Sequence, residues 1–203
     1  MHLDLPHQTY PGAPIDDPAV LERLPSELAS ALRRRNGCVG FLGALHVRGA
    51  CLAPAWHSLR HAWDGPDALH ELYTDVDPAD VPFAEDGFGD QFLIREGRVL
   101  RLSGELGEIA DLAGSPAEFF ARLITDAEQV LDYEPLLRFR DEGNDLRPGQ
   151  VLAAHPPFVL QAPGTGRELR AEDAIERRRT LAALAKRLHG LPDGAHVRLD
   201  GLA

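Results

Sequence analysis

Three carboxylates, Glu85, Asp86 and Asp90, fall within one turn's length of each other in the stretch Phe83-Ala84-Glu85-Asp86-Gly87-Phe88-Gly89-Asp90-Gln91-Phe92. Carboxylates so close could hold a divalent cation or divide into a general acid and a general base. The calcium-loop pattern D-x-[DN]-x-[DN]-G is absent, and only a turn joins the three. Their types and spacing fit better with capping the turn, pairing with arginines or facing a partner. His57 and His61 stand one helical turn apart and could share a face as zinc ligands, but the glutamate of HExxH is missing, since Ser58-Leu59 follows His57. With Trp56 and Trp63 flanking them, the expectation is a half-buried helix whose histidines face solvent. Cys38, His46 and Cys51 have no ligand spacing, and the cysteines read as small buried hydrophobes. No G-x-S-x-G elbow occurs, Pro163-Gly164-Thr165-Gly166-Arg167 lacks the ending of a phosphate loop, and no dinucleotide fingerprint appears. The reading is a chain without catalytic residues, metal or cofactor.

The acids need elements to position them. Val81-Pro82 before the stretch and Phe92-Leu93-Ile94 after it predict strand, glycine turn and strand. Such a turn is expected to present its acids outward and bury its rings. At least two of Phe83, Phe88 and Phe92 belong to the core, and Phe88, between two glycines, is the ring expected at the surface. Glu96-Gly97 closes a hairpin between Gln91–Arg95 and Arg98–Leu102, and Glu108–Leu112 offers a further strand. Ser115-Pro116-Ala117-Glu118 is a capping box with proline at the first helical position. Phe119, Phe120, Leu123 and Ile124 give that helix its apolar face.

Upstream, residues 1–15 read as an arm or docking strand, Asp17-Pro18 starts a short helix to about Arg23, and Ser26–Asn36 forms a second, closed by Gly37. Val39–Val47 is an irregular segment or short edge strand. Helical spacing recurs at Trp56, Leu59 and Trp63 and at Leu69, Leu72 and Tyr73. Downstream, an irregular stretch through Leu131–Phe139 precedes a strand at Val151-Leu152, a loop at Pro163–Gly166, a helix from about Glu172 to His189 and a last strand at His196–Leu199. The expected fold is α+β: a central, twisted, mainly antiparallel sheet with helices packed around it. The chain divides into an arm (1–15), a main domain (16–140) and a strand-helix-strand extension (141–203) packed on it, because about sixty residues would build a poor core alone.

Among the 203 residues, 32 acids against 21 bases leave a net charge of −11. That balance argues against a nucleic-acid partner, which needs clustered Lys and Arg; it either attracts a basic protein partner or simply keeps the chain soluble. Lys186 is the sole lysine. The first residues lack the basic and apolar regions of a signal peptide, no run approaches the ~18 apolar residues of a membrane span, and the two cysteines lack CxxC spacing. A cytoplasmic protein with reduced thiols and no membrane partner is expected.

The run Val81–Phe92 resembles the signature of the SUKH superfamily, the Smi/Knr-type domains. Ser115, Glu118, Phe119 and Phe120 look like that family's following helix, and Leu24-Pro25 with Arg35-Asn36-Gly37 like its opening. A tail similar to that of longer bacterial members runs through Leu146, Pro148-Gly149-Gln150, Pro156-Pro157-Phe158 and Leu191-Pro192-Asp193-Gly194. The resemblance implies an α+β domain without catalytic machinery. It further implies an immunity protein that neutralises a cognate bacterial toxin by binding it, or alternatively a scaffold or regulatory domain that recognises a cellular protein. On that reading Glu85, Asp86, Phe88 and Asp90 are the expected partner contacts.

Overall fold

The computed structural model describes residues 2–131, 133–161, 166–192 and 194–196. Its centre is a six-stranded sheet in which β1 (Cys38–Gly40), β2 (Leu45–Val47), β3 (Val81–Asp86), β4 (Gln91–Arg95), β5 (Arg98–Leu102) and β6 (Ile109–Ala113) lie side by side in chain order. Every neighbouring pair is antiparallel. Glu96 and Gly97 both take positive φ, the backbone of the tight hairpin their sequence predicts.

Helices cover both faces, so β3 is buried along its whole length and shows no polar-apolar alternation. On one face Phe83, Phe92 and Ile94 pack under α5 (Pro116–Thr125) and α2 (Ser26–Arg34). Phe119 of α5 stands edge-on to Phe83 at 5.6 Å and 4.9 Å from Phe92. The α5 start is as expected: the Ser115 hydroxyl accepts from the Glu118 backbone N–H at 3.1 Å. Glu118 reaches one residue further back than a standard box, to the Gly114 N–H. On the other face Leu93, Leu100 and Leu102 meet Leu69 of α4 (Leu69–Leu72), Tyr73, and Ala182 and Ala185 of α8 (Ala174–Leu188).

The extension is part of this core. β7 (Gln150–His155) and β8 (Glu168–Asp173) form an antiparallel pair; the Leu152 N–H donates to the Gly87 carbonyl, and Leu152 joins the main cluster. Helix α8 is fastened by three successive arginines that face three regions of the body. Arg177 lies 3.7 Å from Glu105, Arg178 3.6 Å from Glu85, and Arg179 grips Asp67 with two nitrogens at 2.7 and 2.8 Å. The arm lies along β1, with Leu3 and Leu5 buried and Tyr10 bridged to Val39.

Several local expectations are corrected. The irregular stretch after Thr125 holds α6 (Ala127–Leu131) and α7 (Glu134–Asp141). The segment read as loop followed by helix contains β8, whose charged side chains hide its strand character, and α8 begins at Ala174, capped by the Asp173 carboxylate. The first helix spans only Pro18–Leu21, and Asp17 does not cap it, because its carboxylate is taken by Arg60. Positions 163–165 and the strand expected to end at Leu199 lie outside the described residues. Among those described, no helix is long and apolar enough to cross a membrane.

Leu181, buried where α8 meets the β3–β4 turn, tests this packing. Leu181→Ala should cost ~2–5 kcal/mol in denaturant unfolding and move a single transition. A separate early transition would show α8 unfolding apart from the sheet.

Candidate functional site

The chemistry-bearing residues gather in one row across the sheet, on the face that α8 covers. Register places His46 of β2 opposite Glu85 of β3, and Glu85 opposite Gln91 of β4. Side chains at paired positions point to the same face, so three polar groups from three strands meet below α8.

The reason begins at Pro82. A proline in an interior strand cannot donate to the ladder, and β3 slips register between Pro82 and Ala84. The bulge leaves carbonyls for another donor, and Arg48 supplies it: one guanidinium nitrogen bonds the Pro82 and Ala84 oxygens at 3.0 and 3.2 Å. The other reaches Glu85 Oε2 at 2.6 Å and Gln91 Oε1 at 2.7 Å. The Gln91 amide returns a bond to Glu85 at 3.2 Å and another to the Gly89 carbonyl at 2.8 Å. Arg178 adds a second positive charge at 3.6 Å without hydrogen-bonding the carboxylate.

From Oε1 of Glu85 the row continues through His46 Nδ1 (2.8 Å), from His46 Nε2 to His57 Nδ1 (2.9 Å), and from His57 Nε2 to the Asn36 carbonyl (2.9 Å). Burial would raise the Glu85 carboxyl, but Arg48, the hydrogen bond from His46 and Arg178 together hold it well below its usual range. Burial lowers His46 despite Glu85, and it pushes His57 down to about 3 with help from His46. Both rings are then neutral near pH 7. Two neutral rings bring two protons to three contacts whose outer ends both accept, so one contact in the row lacks a proton.

The sequence-predicted contacts divide. Glu85 and Asp86 are each only 1% exposed, so the hairpin turns these acids inward, contrary to the outward presentation expected. Oδ1 of Asp86 accepts from the backbone N–H groups of Phe88, Gly89 and Asp90 at 2.9–3.0 Å, and Oδ2 pairs with Arg101. Burial, then the Asp90 carboxylate, push the Asp86 carboxyl up, while Arg101 and the backbone donors pull it down. Asp90 is half-buried between Arg101 Nε (2.8 Å) and the Gly104 N–H (2.8 Å). Phe88 is half-buried, edge-on to Phe158 at 5.5 Å. Capping the turn and pairing with arginine is therefore what these carboxylates do.

His57 is a further correction. It is fully buried among Trp56, Tyr10 and His46, while His61 turns toward Asp67 at 3.4 Å, so the two do not form one site. Both cysteines are buried and free, with burial pushing Cys38 up to about 12 and Cys51 to about 11. Sequence reasoning missed His46, Arg48, Gln91 and Arg178 as members of a site. The available signals were the Pro82 that demands a bulge and the run Arg177–Arg179 in an acidic chain. The cleft beside His46 and Glu85 has about 10 Å³, the room of a single water. No group of three or more His, Cys, Asp or Glu among the described residues is arranged to hold a metal ion.

No family model and no curated protein matches the chain. Among solved structures the chain is similar to Atu4351 from Agrobacterium tumefaciens. The TM-score is 0.57 at 19% identity, over 90% of this chain and 85% of that one. At that identity the likeness shows a shared fold and nothing of function.

The row fixes the direction of the pH response. On unfolding, His57 recovers its ordinary value of 6.5 from about 3, His46 rises as well, and Glu85 returns upward to 4.5. The unfolded chain binds more protons in each case, so the row's contribution to stability falls as pH drops below about 6.5 and falls further below about 4.5, whereas Asp86, raised to about 8 in the folded chain, contributes in the opposite sense between about 8 and 3.8. Denaturant midpoints across that range in an Asp86→Asn background should show the row's decline. Glu85→Gln should cost ~3–5 kcal/mol at pH 7, since it leaves Arg48 and Arg178 buried without their counter-charge. A loss under about 1 kcal/mol would remove Glu85 from the centre of this account.

Proposed function

We propose that this chain is a non-enzymatic protein-binding domain of SUKH type, acting in the cytoplasm as an immunity protein that neutralises a basic toxin by direct contact. The observation that carries the reading is the fate of the signature residues. Glu85, Asp86 and Gln91, which carry the resemblance, are committed to partners within the protein, and the cleft beside them has room for about one water. A sequence signature used in this way holds a scaffold together and leaves other surfaces to do the binding. The net charge of −11 supports a basic partner, because an acidic surface steers such a partner's approach and disfavours acidic ones.

Growth rescue tests the proposal. Co-expression with a toxin domain, where one is encoded beside this chain, should restore growth, and the purified pair should associate at least about tenfold more slowly at high salt than at low salt. Failure to rescue against every linked toxin ends the immunity reading. Stable binding to a harmless cellular protein in its place would favour the scaffold alternative.

A further inference from the structure

Three surface clefts follow one another and share lining residues. The first, about 340 Å³, is lined by Phe88, Phe158, Val159 and Leu106 together with the charged Asp90, Arg101 and Glu105. Leu106 also lines the second, about 120 Å³, which runs between the β5–β6 loop and α8 and carries Lys186 and His189 on its α8 side. Thr74 and Asp75 line both that cleft and the third, about 520 Å³, which holds Asp75, Asp77, Asp80, Arg95 and Glu96.

The two ends differ in chemistry. At the apolar end Phe158 and Val159 are each 39% exposed and Leu106 38%. They do not fold inward because their turn is pinned from both sides. Glu105 accepts the Phe158 and Val159 N–H groups at 2.9 and 2.6 Å, and Arg167 donates to the Phe158 and Leu160 carbonyls. The apolar pair is thus held at the surface in a set geometry, which lowers the ordering cost of a partner docking there. At the other end Arg95 is taken up by the buried Asp80, at 2.8 and 2.6 Å. That leaves the exposed Asp75, Asp77 and Glu96 as a surplus of negative charge.

We propose that this track is the docking surface for the protein partner, which lays across it an extended segment with apolar side chains at one end and lysine or arginine at the other. The proposal rests on the protein-binding reading above and gives that partner its chemistry. The acid end repels nucleic acid and anionic lipid. It also repels a second copy of this chain, whose net charge is −11. The apolar floor supplies the contacts that slow dissociation.

The test is amide chemical-shift mapping of the full chain, titrated with a synthetic peptide that is arginine-rich in one half and leucine- and phenylalanine-rich in the other. Shifts should centre on Thr74, Glu96, Leu106 and Val159. Asp75→Lys with Asp77→Lys should weaken binding about tenfold and flatten its salt dependence, whereas Phe158→Ser with Val159→Ser should weaken it similarly and leave that dependence in place. All four positions are exposed, so an unchanged amide spectrum in the free variants would confirm the fold. Shifts centred elsewhere, equal binding of a glutamate-for-arginine peptide, or self-association through Phe158 would overturn the track. Growth rescue separates the two proposals: a quadruple variant that still rescues sinks the track and keeps the binding reading. A track that takes the peptide in a chain that rescues nothing keeps the track and sinks the toxin reading.

Discussion

A carboxylate closed off from water in the middle of a sheet must find donors for both oxygens, and Glu85 finds them in His46, Arg48 and Gln91. His46 lies in β2, Arg48 follows it and Gln91 belongs to β4, while Arg178 adds its charge from α8 without a hydrogen bond. The dependency runs in both directions. Pro82 forces a bulge, the bulge leaves carbonyls that Arg48 must serve, and Arg48 in turn needs the negative charge of Glu85. His46 and His57 carry the same connection to the Asn36 carbonyl. There Gly37 has no room for a side chain, since a Cβ would lie 2.4 Å from the Val47 oxygen. The sheet's register, the turn after α2 and the seating of α8 thus meet at one charged group.

The acidic hairpin has the opposite polarity from the one its composition suggests. Its glycines let the backbone fold tightly over Asp86, and that side chain gathers three successive N–H groups as a turn cap does. Gly89, at φ +100°, also sits where a Cβ would press on Leu181, so the turn doubles as the bed for α8. Binding surface has to be sought where charge and apolar side chains are left over, around Phe158 at one end and Glu96 at the other.

Much of the fold was legible because local rules acted alone. Glu96-Gly97 specified its hairpin and Ser115-Pro116 its helix start. The site was less legible for a physical reason. Inward and outward side chains are distinguishable by alternation only when one face of a strand meets water, and β3 meets water on neither. An acid in such a strand looks like a surface acid until its arginines are found, and Arg48 lies thirty-seven and Arg178 ninety-three positions away in sequence. His57 misled for a similar reason: Trp56 and Trp63 suggested a continuous amphipathic helix, but the chain forms a single tight turn at Ala55–His57 before α3 (Leu59–Asp64), which rotates His57 into the core. β8 was hidden because its inner face carries only Leu169 and Ala171 between the charged Glu168, Arg170 and Glu172.

The position of α8 in the chain also governs how the molecule is made. Translation delivers the entire six-stranded sheet, Glu85 included, well before the ribosome reaches Arg177–Arg179. During that interval the nascent chain exposes Leu93, Leu100 and Leu102 on a face with its late arginine missing. Closure of that face therefore follows synthesis of the sheet, and the growing polypeptide presents an apolar surface, with Glu85 matched by Arg48 alone, until α8 emerges.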